Sequence, residues 1–289
     1  MTASAFAAGS TNATFKGKEI RANKIVVVNN SLFKQLPVKA NLVARTESIK
    51  AAYQGRVTRV IPAQGLEEWE IAGDLEKALN ELNAIDGISA FPNFVFHRED
   101  TERGTRLKTT GEAGDPYLAD QWALNNDGSF NATAVSGADI GALAAWTVTT
   151  GGTYTIGNVT SDVIVAVFDD GIDIDHEDLS NNIWINPGED LDGNGVISES
   201  EWNGVDDDAN GFVDDFYGWS VIYDDNSYLN SGSYHGTHVA GIIGAQGNNA
   251  VGIAGVNHSI KMLSVMIWDE WGDTDAITLM YGYYYLSTL

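Results

Sequence analysis

Apolar positions along the chain fall into runs whose period changes, and each change marks a structural element. Residues 1–23 are small and polar and predict a flexible lead-in. Ile25-Val26-Val27-Val28 is an unbroken β-branched run that predicts a buried strand, followed by a helical stretch around Val38–Tyr53. Arg56–Ile61 and Leu66–Ile71 predict two more strands. Asp74 stands before Leu75, Ala78, Leu79 and Leu82, the pattern of an N-cap and an amphipathic helix ending near Ala84. Ile88–His97 predicts a last strand, broken at Pro92-Asn93. Strand–helix–strand–strand–helix–strand over 24–97 is the order of a small α+β domain.

Residues 98–114 carry Arg98, Arg103, Arg106 and Lys108 with almost nothing apolar, and predict an exposed linker. Trp122, Leu124, Ile140, Ala144 and Trp146 then open a second unit, 115–289. Val163–Phe168 and Ile260–Ile267 have the continuous apolar character of strands in a parallel sheet. A helix is expected to run from His235 through Ala245, and Asp273 or Thr274 is expected to cap a final helix. Two or three such strands cannot bury both faces of a sheet, so further residues are expected after Leu289.

Composition narrows the picture. The chain has 289 residues, of which 44% are hydrophobic, enough for a sizeable core. Forty acidic side chains against 16 basic ones give a net charge of −24, which disfavours nucleic acid and anionic membranes as partners. It suits a solvated surface or bound cations. There is no cysteine, which leaves metal as the usual alternative staple of a secreted fold. No run of about 18 apolar residues predicts a membrane span. Met1–Ser10 has the small residues of a signal-peptide end without its basic and apolar regions.

Two motifs carry chemistry. In the first, Val165-Ala166-Val167-Phe168-Asp169-Asp170-Gly171, a carboxylate ends a buried parallel strand, where α/β folds place their sites. In isolation, Asp169 or Asp170 could equally cap the next turn. In the second, His235-Gly236-Thr237-His238-Val239-Ala240-Gly241, a histidine starts a helix rich in small residues. That histidine could be structural, or one half of a His-x-x-His metal pair lacking a third ligand. Taken together, the two motifs resemble the subtilase (subtilisin-like serine protease) family, to which the second is highly specific. The resemblance implies a triad in which Asp169 orients His235, and His235 takes the proton of an attacking serine. The family's Gly-Thr-Ser-Met-Ala-like motif and oxyanion-hole asparagine are not found after His235, and Ser231 and Ser233 read as loop residues. The expectation is therefore the N-terminal part of a precursor, inactive as it stands.

The same resemblance makes 24–97 a ferredoxin-like propeptide of the inhibitor I9 type, which would fold and inhibit its own protease. It makes 98–114 a processing linker and 115–289 the start of a subtilisin-like parallel sheet. Secretion follows, with proteins or peptides as substrates.

Between Asp169 and His235 lies an acidic excursion. Residues 186–226 hold twelve acids and no Lys, Arg or His. Asp190, Asp192, Asn194, Val196 (by its carbonyl), Ser198 and Glu201 stand at the ligand positions of an EF-hand loop, with Gly195 at its turn. Asp206, Asp208, Asn210 and Asp214 form a second match without the terminal glutamate. Calcium is the expected ion, against a plain solvated loop. From the family resemblance alone, Asp178 and Asn249, with Asp115, would hold a further Ca2+. The competing class is a non-catalytic calcium-binding or inhibitory protein with a decayed protease core.

Overall fold

The structure is a computed structural model and describes residues 12–33, 40–61, 64–98, 114–129, 131–156, 159–229 and 234–289. The described residues group into two compact units, one drawn from 1–98, 221–224 and 267–289, the other from 99–220 and 225–266.

In the first unit, β1 (Asn12–Phe15) pairs antiparallel with β2 (Lys18–Asn29), which leads into a single helical turn, α1 (Asn30–Phe33). Then follow α2 (Ala40–Ala52), β3 (Arg56–Ile61), β4 (Leu66–Glu70), α3 (Leu75–Asn83) and β5 (Ile88–His97). The sheet runs β11-β5-β2-β4-β3, where β11 is Asp273–Asp275, and α6 (Ala276–Leu286) follows directly. The β5-β2-β4-β3 core is antiparallel throughout, the ferredoxin-like arrangement expected of the βαββαβ order.

The unbroken apolar run in β2 has a simple cause, since the sheet is covered on both faces. Ile25 and Val27 point into a core with Leu42, Trp69, Leu79 and Leu82. Val26 and Val28 point to the opposite face, against Ile61, Leu66 and Ile277 of α6. At about 25 cal/mol per Å2, burial on both faces makes this strand the main apolar anchor of the unit.

Three expectations change here. Residues 12–23 of the expected lead-in form β1 and the start of β2, where Ile20 is buried and the two strands pair. β5 continues through Pro92-Asn93, but its pairing with β2 is interrupted there, jumping from Ile25↔Pro92 to Ile20↔Phe94 with the extra residues on β2. The cap of α6 is Asp275, not Asp273 or Thr274, because all three pair with β5 and only Asp275, the last of them, has its carboxylate in reach of the Thr278 N–H. The expected linker lies outside the described residues from 99 to 113.

The sheet face under α6 also holds buried polar groups. Asp275 accepts from the Thr278 N–H (3.1 Å) and hydroxyl (2.8 Å), and from Arg21 Nε (3.4 Å), with Arg59 Nη1 3.6 Å away. Asn93 donates to Glu68 (2.6 Å) and accepts from the Ile277 N–H (3.3 Å). Glu68 also accepts from Lys24 (2.9 Å) and the Thr58 hydroxyl.

In the second unit, α4 (Ala142–Trp146) and the hairpin β6 (Thr153–Ile156)–β7 (Val159–Asp162) precede a parallel sheet of order β8-β10-β9. Its strands are β8 (Ile164–Asp169), β9 (Gly218–Ser220) and β10 (Lys261–Met266). Helix α5 (His235–Gly244) packs Ala240 against Val167, Ile172, Leu179 and Met262. No helix among the described residues is long and apolar enough to cross a membrane.

Removing Asp275 would strip α6 of its cap and leave buried Arg21 without its carboxylate. Asp275→Ala is expected to destabilise the chain by about 3 kcal/mol in denaturant titration. Asp275→Asn retains the cap and should lose less.

Candidate active site

The strand β8 ends at Asp169, and Gly171, with φ of 107°, turns the chain away at once. His235 is the first residue of α5, and its Nδ1 lies 2.8 Å from Asp169 Oδ1 and 3.0 Å from Oδ2. Asp169 is buried, whereas the His235 side chain is 36% exposed. Burial pushes the Asp169 carboxyl above its ordinary range, opposed by the hydrogen bonds from His235 and from the Asp170 N–H. With Nδ1–H donated to the carboxylate, Nε2 is left as the basic nitrogen.

The neighbouring carboxylate does a different task. Asp170 is fully buried and accepts from the Gly236 N–H at 2.7 Å, satisfying a donor in the first turn of α5. Tyr234, at the cap position, makes no side-chain capping bond. The two carboxylates divide: Asp169 meets the imidazole, and Asp170 caps not the next turn but α5, 66 residues further on, which carries that imidazole. The Thr237 hydroxyl accepts from the Asp173 N–H (2.9 Å) and pins the following turn to α5. Among the described residues, one ligand atom each from Asp169, Asp170 and His235 lie within 4.8 Å of one another, and His238 belongs to no such group. Ser231 and Ser233 lie outside the described residues.

The first acidic loop closes on itself. Asp190 accepts from the Gly193, Asn194 and Gly195 N–H groups, and Asp192 from that of Asn194. Asn194 accepts from the Val196 N–H, and buried Glu201 accepts from Leu191 and Ser198. Oxygens of Asp190, Asp192 and Glu201 lie within 4.8 Å of one another, an all-oxygen set that fits a hard cation.

The second loop departs from expectation. Asp206 and Asp208 accept from the Asn210 N–H, as in the first loop. Asp214, however, turns to the N–H groups of Asn203 and Gly204. Asp208 instead gathers with Glu189 and Asp215, which the loop pattern did not select. Glu189 stands in the same acidic run, one residue before Asp190, but no spacing rule singles it out. Burial, reinforced by the charges of Asp215, Asp208 and Asp207, pushes its pKa up to about 7.

Asp115, Asp178 and Asn249 do come together. Asp115 accepts from the Asn248 and Asn249 N–H groups (2.9 and 3.1 Å), and Asn249 donates to Asp178 at 2.8 Å. Both acids are buried, and burial raises the Asp178 carboxyl.

If the two neighbouring aspartates divide these tasks, their substitutions separate. Asp169→Asn should leave the melting point nearly unchanged but remove the low-field imidazole N–H resonance in proton NMR. Asp170→Ala should cost about 2 kcal/mol of stability in denaturant titration.

Comparison with known proteins places this geometry. Residues 160–286 match the family model described as Peptidase_S8, subtilase family. Subtilisin-like protease 1 of Plasmodium vivax is 43% identical over 106 residues, which is 37% of this chain and 15% of that protein. An extracellular protease of Xanthomonas campestris is 30% identical over 206 residues, 68% of this chain and 30% of that protein. The chain thus spans less than a third of the length of these relatives. The crystal structure of fervidolysin from Fervidobacterium pennivorans, a keratinolytic enzyme related to subtilisin, superposes with a TM-score of 0.51. That match has 19% identity and covers 94% of this chain and 34% of that one, so it establishes a common fold. With Asp169 and His235 inside the matched stretch, residues 160–286 are a segment of the subtilase family, peptidase S8.

Proposed function

We propose that this chain belongs to the precursor of a secreted, calcium-stabilised serine endopeptidase that cleaves proteins or peptides. The observation that carries this reading is the 2.8 Å contact between His235 and buried Asp169 at the end of a parallel strand, within the family-matched stretch. In the proposed reaction Asp169 holds the ring with Nε2 as base and stabilises the imidazolium. His235 takes a proton from a serine hydroxyl as its oxygen attacks the peptide carbonyl, then returns it to the leaving amine. The sequence after His235 contains no Gly-Thr-Ser motif, so the test uses the whole protein that the coding sequence specifies.

The ferredoxin-like unit takes the part of an intramolecular inhibitor and folding template, and cleavage falls between about His97 and Asp115. The order of β2, α2, β3, β4, α3 and β5 supports this assignment. Secretion is supported by the extracellular relative from Xanthomonas. The acidic loops supply calcium sites, with Asp190, Asp192, Asn194, Val196, Ser198 and Glu201 as the first. Asp115, Asp178 and Asn249 supply another. Bound there, calcium would neutralise the clustered carboxylates and stabilise the fold.

His235→Ala in the whole protein is expected to reduce peptide hydrolysis on the order of a million-fold and to block removal of residues 1 to about 110. Normal self-processing in this variant would overturn the assignment. Thermal melting in excess chelator should fall below that in calcium, because a ligand bound only by the native state stabilises it. An unchanged melting point would remove calcium from the proposal.

A further inference from the structure

His97, the last residue of β5, has a carboxylate on each ring nitrogen. Its Nδ1 lies 2.6 Å from Asp273 Oδ1 of β11, and its Nε2 lies 2.7 Å from Glu19 Oε2 of β2. All three residues belong to the first unit. A neutral imidazole offers one donor and one acceptor, whereas an ionised carboxylate only accepts. Two contacts this short therefore need both nitrogens protonated, which is the imidazolium. The ring is a bridge across three strands, from β2 through β5 to β11, and the bridge depends on one proton.

The surroundings favour that proton. On β11, Asp273 faces the ring, and its own N–H is held by Asp269 at 2.9 Å, in the turn that also carries Glu270. On β2, Glu19 faces the ring and also accepts from Asn12 at 2.8 Å. The bases on these elements are otherwise engaged or turned aside. Arg21 is bonded to Asp275 at 3.4 Å, and the Arg98 side chain lies along Gly272. Lys18, next to Glu19, alternates to the other face of β2. Hydrogen bonding to Glu19, then to Asp273, pushes the His97 pKa above its ordinary range, opposed by burial. The same bond, with that from Asn12, holds the Glu19 carboxyl below its own range.

We propose that His97 is a proton-operated clasp fastening β2 and β11 to β5, closed while both ring nitrogens carry protons and opened when one is lost. Deprotonation sets a ring lone pair against a carboxylate, so one contact must part whichever tautomer remains. Because the folded value is raised, the clasp contributes fully below the ordinary histidine range. Its contribution is lost as pH rises through the raised value. β11 lies within the stretch that matches the subtilase model, and β5 closes the ferredoxin-like unit. Resting on the inhibitor reading given above, the clasp holds that unit in mildly acidic surroundings and loosens it as they turn alkaline.

Two measurements on this chain test the clasp. In proton–nitrogen NMR of the imidazoles, with the signals assigned by their loss in His97→Gln, His97 should titrate above the ordinary histidine range. The double variant Glu19→Gln/Asp273→Asn should bring that midpoint down. In amide hydrogen exchange, residues 267–275 of the unsubstituted chain should be better protected than those of His97→Gln in mildly acidic buffer, by about two- to fivefold, the scale of an exposed ion pair. The two chains should be equally protected in mildly alkaline buffer, and comparing them at one pH cancels the intrinsic exchange rate. A midpoint in or below the ordinary range, a midpoint that ignores the double variant, or a protection ratio that does not change with pH would each overturn the clasp. Neither measurement needs a nucleophile or self-processing. Failure of the inhibitor reading therefore leaves the clasp standing, and pH-independent protection sinks the clasp alone.

Discussion

Of the described side chains, ten buried ones are carboxylates and only one, Arg21, is a buried base. A carboxylate withdrawn from water must find a donor or a counter-charge, and the free energy at stake is comparable to the whole stability of a domain. The architecture can be understood as a set of answers to that constraint. Asp275 is met by Arg21 and by the start of α6, and Glu68 by Lys24 and Asn93. Asp169 is met by an imidazole, Asp170 by the start of α5, and Glu201 by the backbone and hydroxyl of its own loop. Among the described residues, one buried carboxylate oxygen, Glu189 Oε2, has no hydrogen-bond partner.

These answers fall into two classes with different consequences. Where the partner is backbone or a fixed base, the carboxylate organises the fold. Asp170 and Asp275 hold helix starts, and each does so from a strand end, coupling helix position to sheet register. Where the partner is titratable, as with Asp169 and His235, the same burial creates chemistry. The imidazole is held through Nδ1 by a carboxylate that is buried from water. One residue in the chain separates the aspartate that holds a helix start from the one that holds an imidazole.

Much of this was legible in the sequence. Continuous β-branched runs marked β2, β8 and β10, and spacing around Asp74 marked α3 and its cap. The two motifs around Asp169 and His235 gave the family, now supported by the match over 160–286. The clustering of Asp190, Asp192 and Glu201 was also readable, because these residues lie along one stretch and need no distant partner. Local interactions leave local patterns.

What the sequence could not fix were the pairings across long separations. Nothing in Pro92-Asn93 reveals that the extra residues of the irregularity opposite it lie on β2, because register depends on both strands at once. Nothing near Asp273 reveals that residues 273–275 pair with β5, with Asp273 against His97, 176 residues away, so that the helix starts only after Asp275. Likewise the gathering of Asp208 with Glu189 and Asp215 depends on how two loops fold against each other. By itself the sequence determined the elements, the family and the identity of the Asp–His pair, since period and motif are properties of neighbouring residues. The tertiary structure alone decided which carboxylates are buried together and which of them lack a partner, since burial is a property of the whole packing.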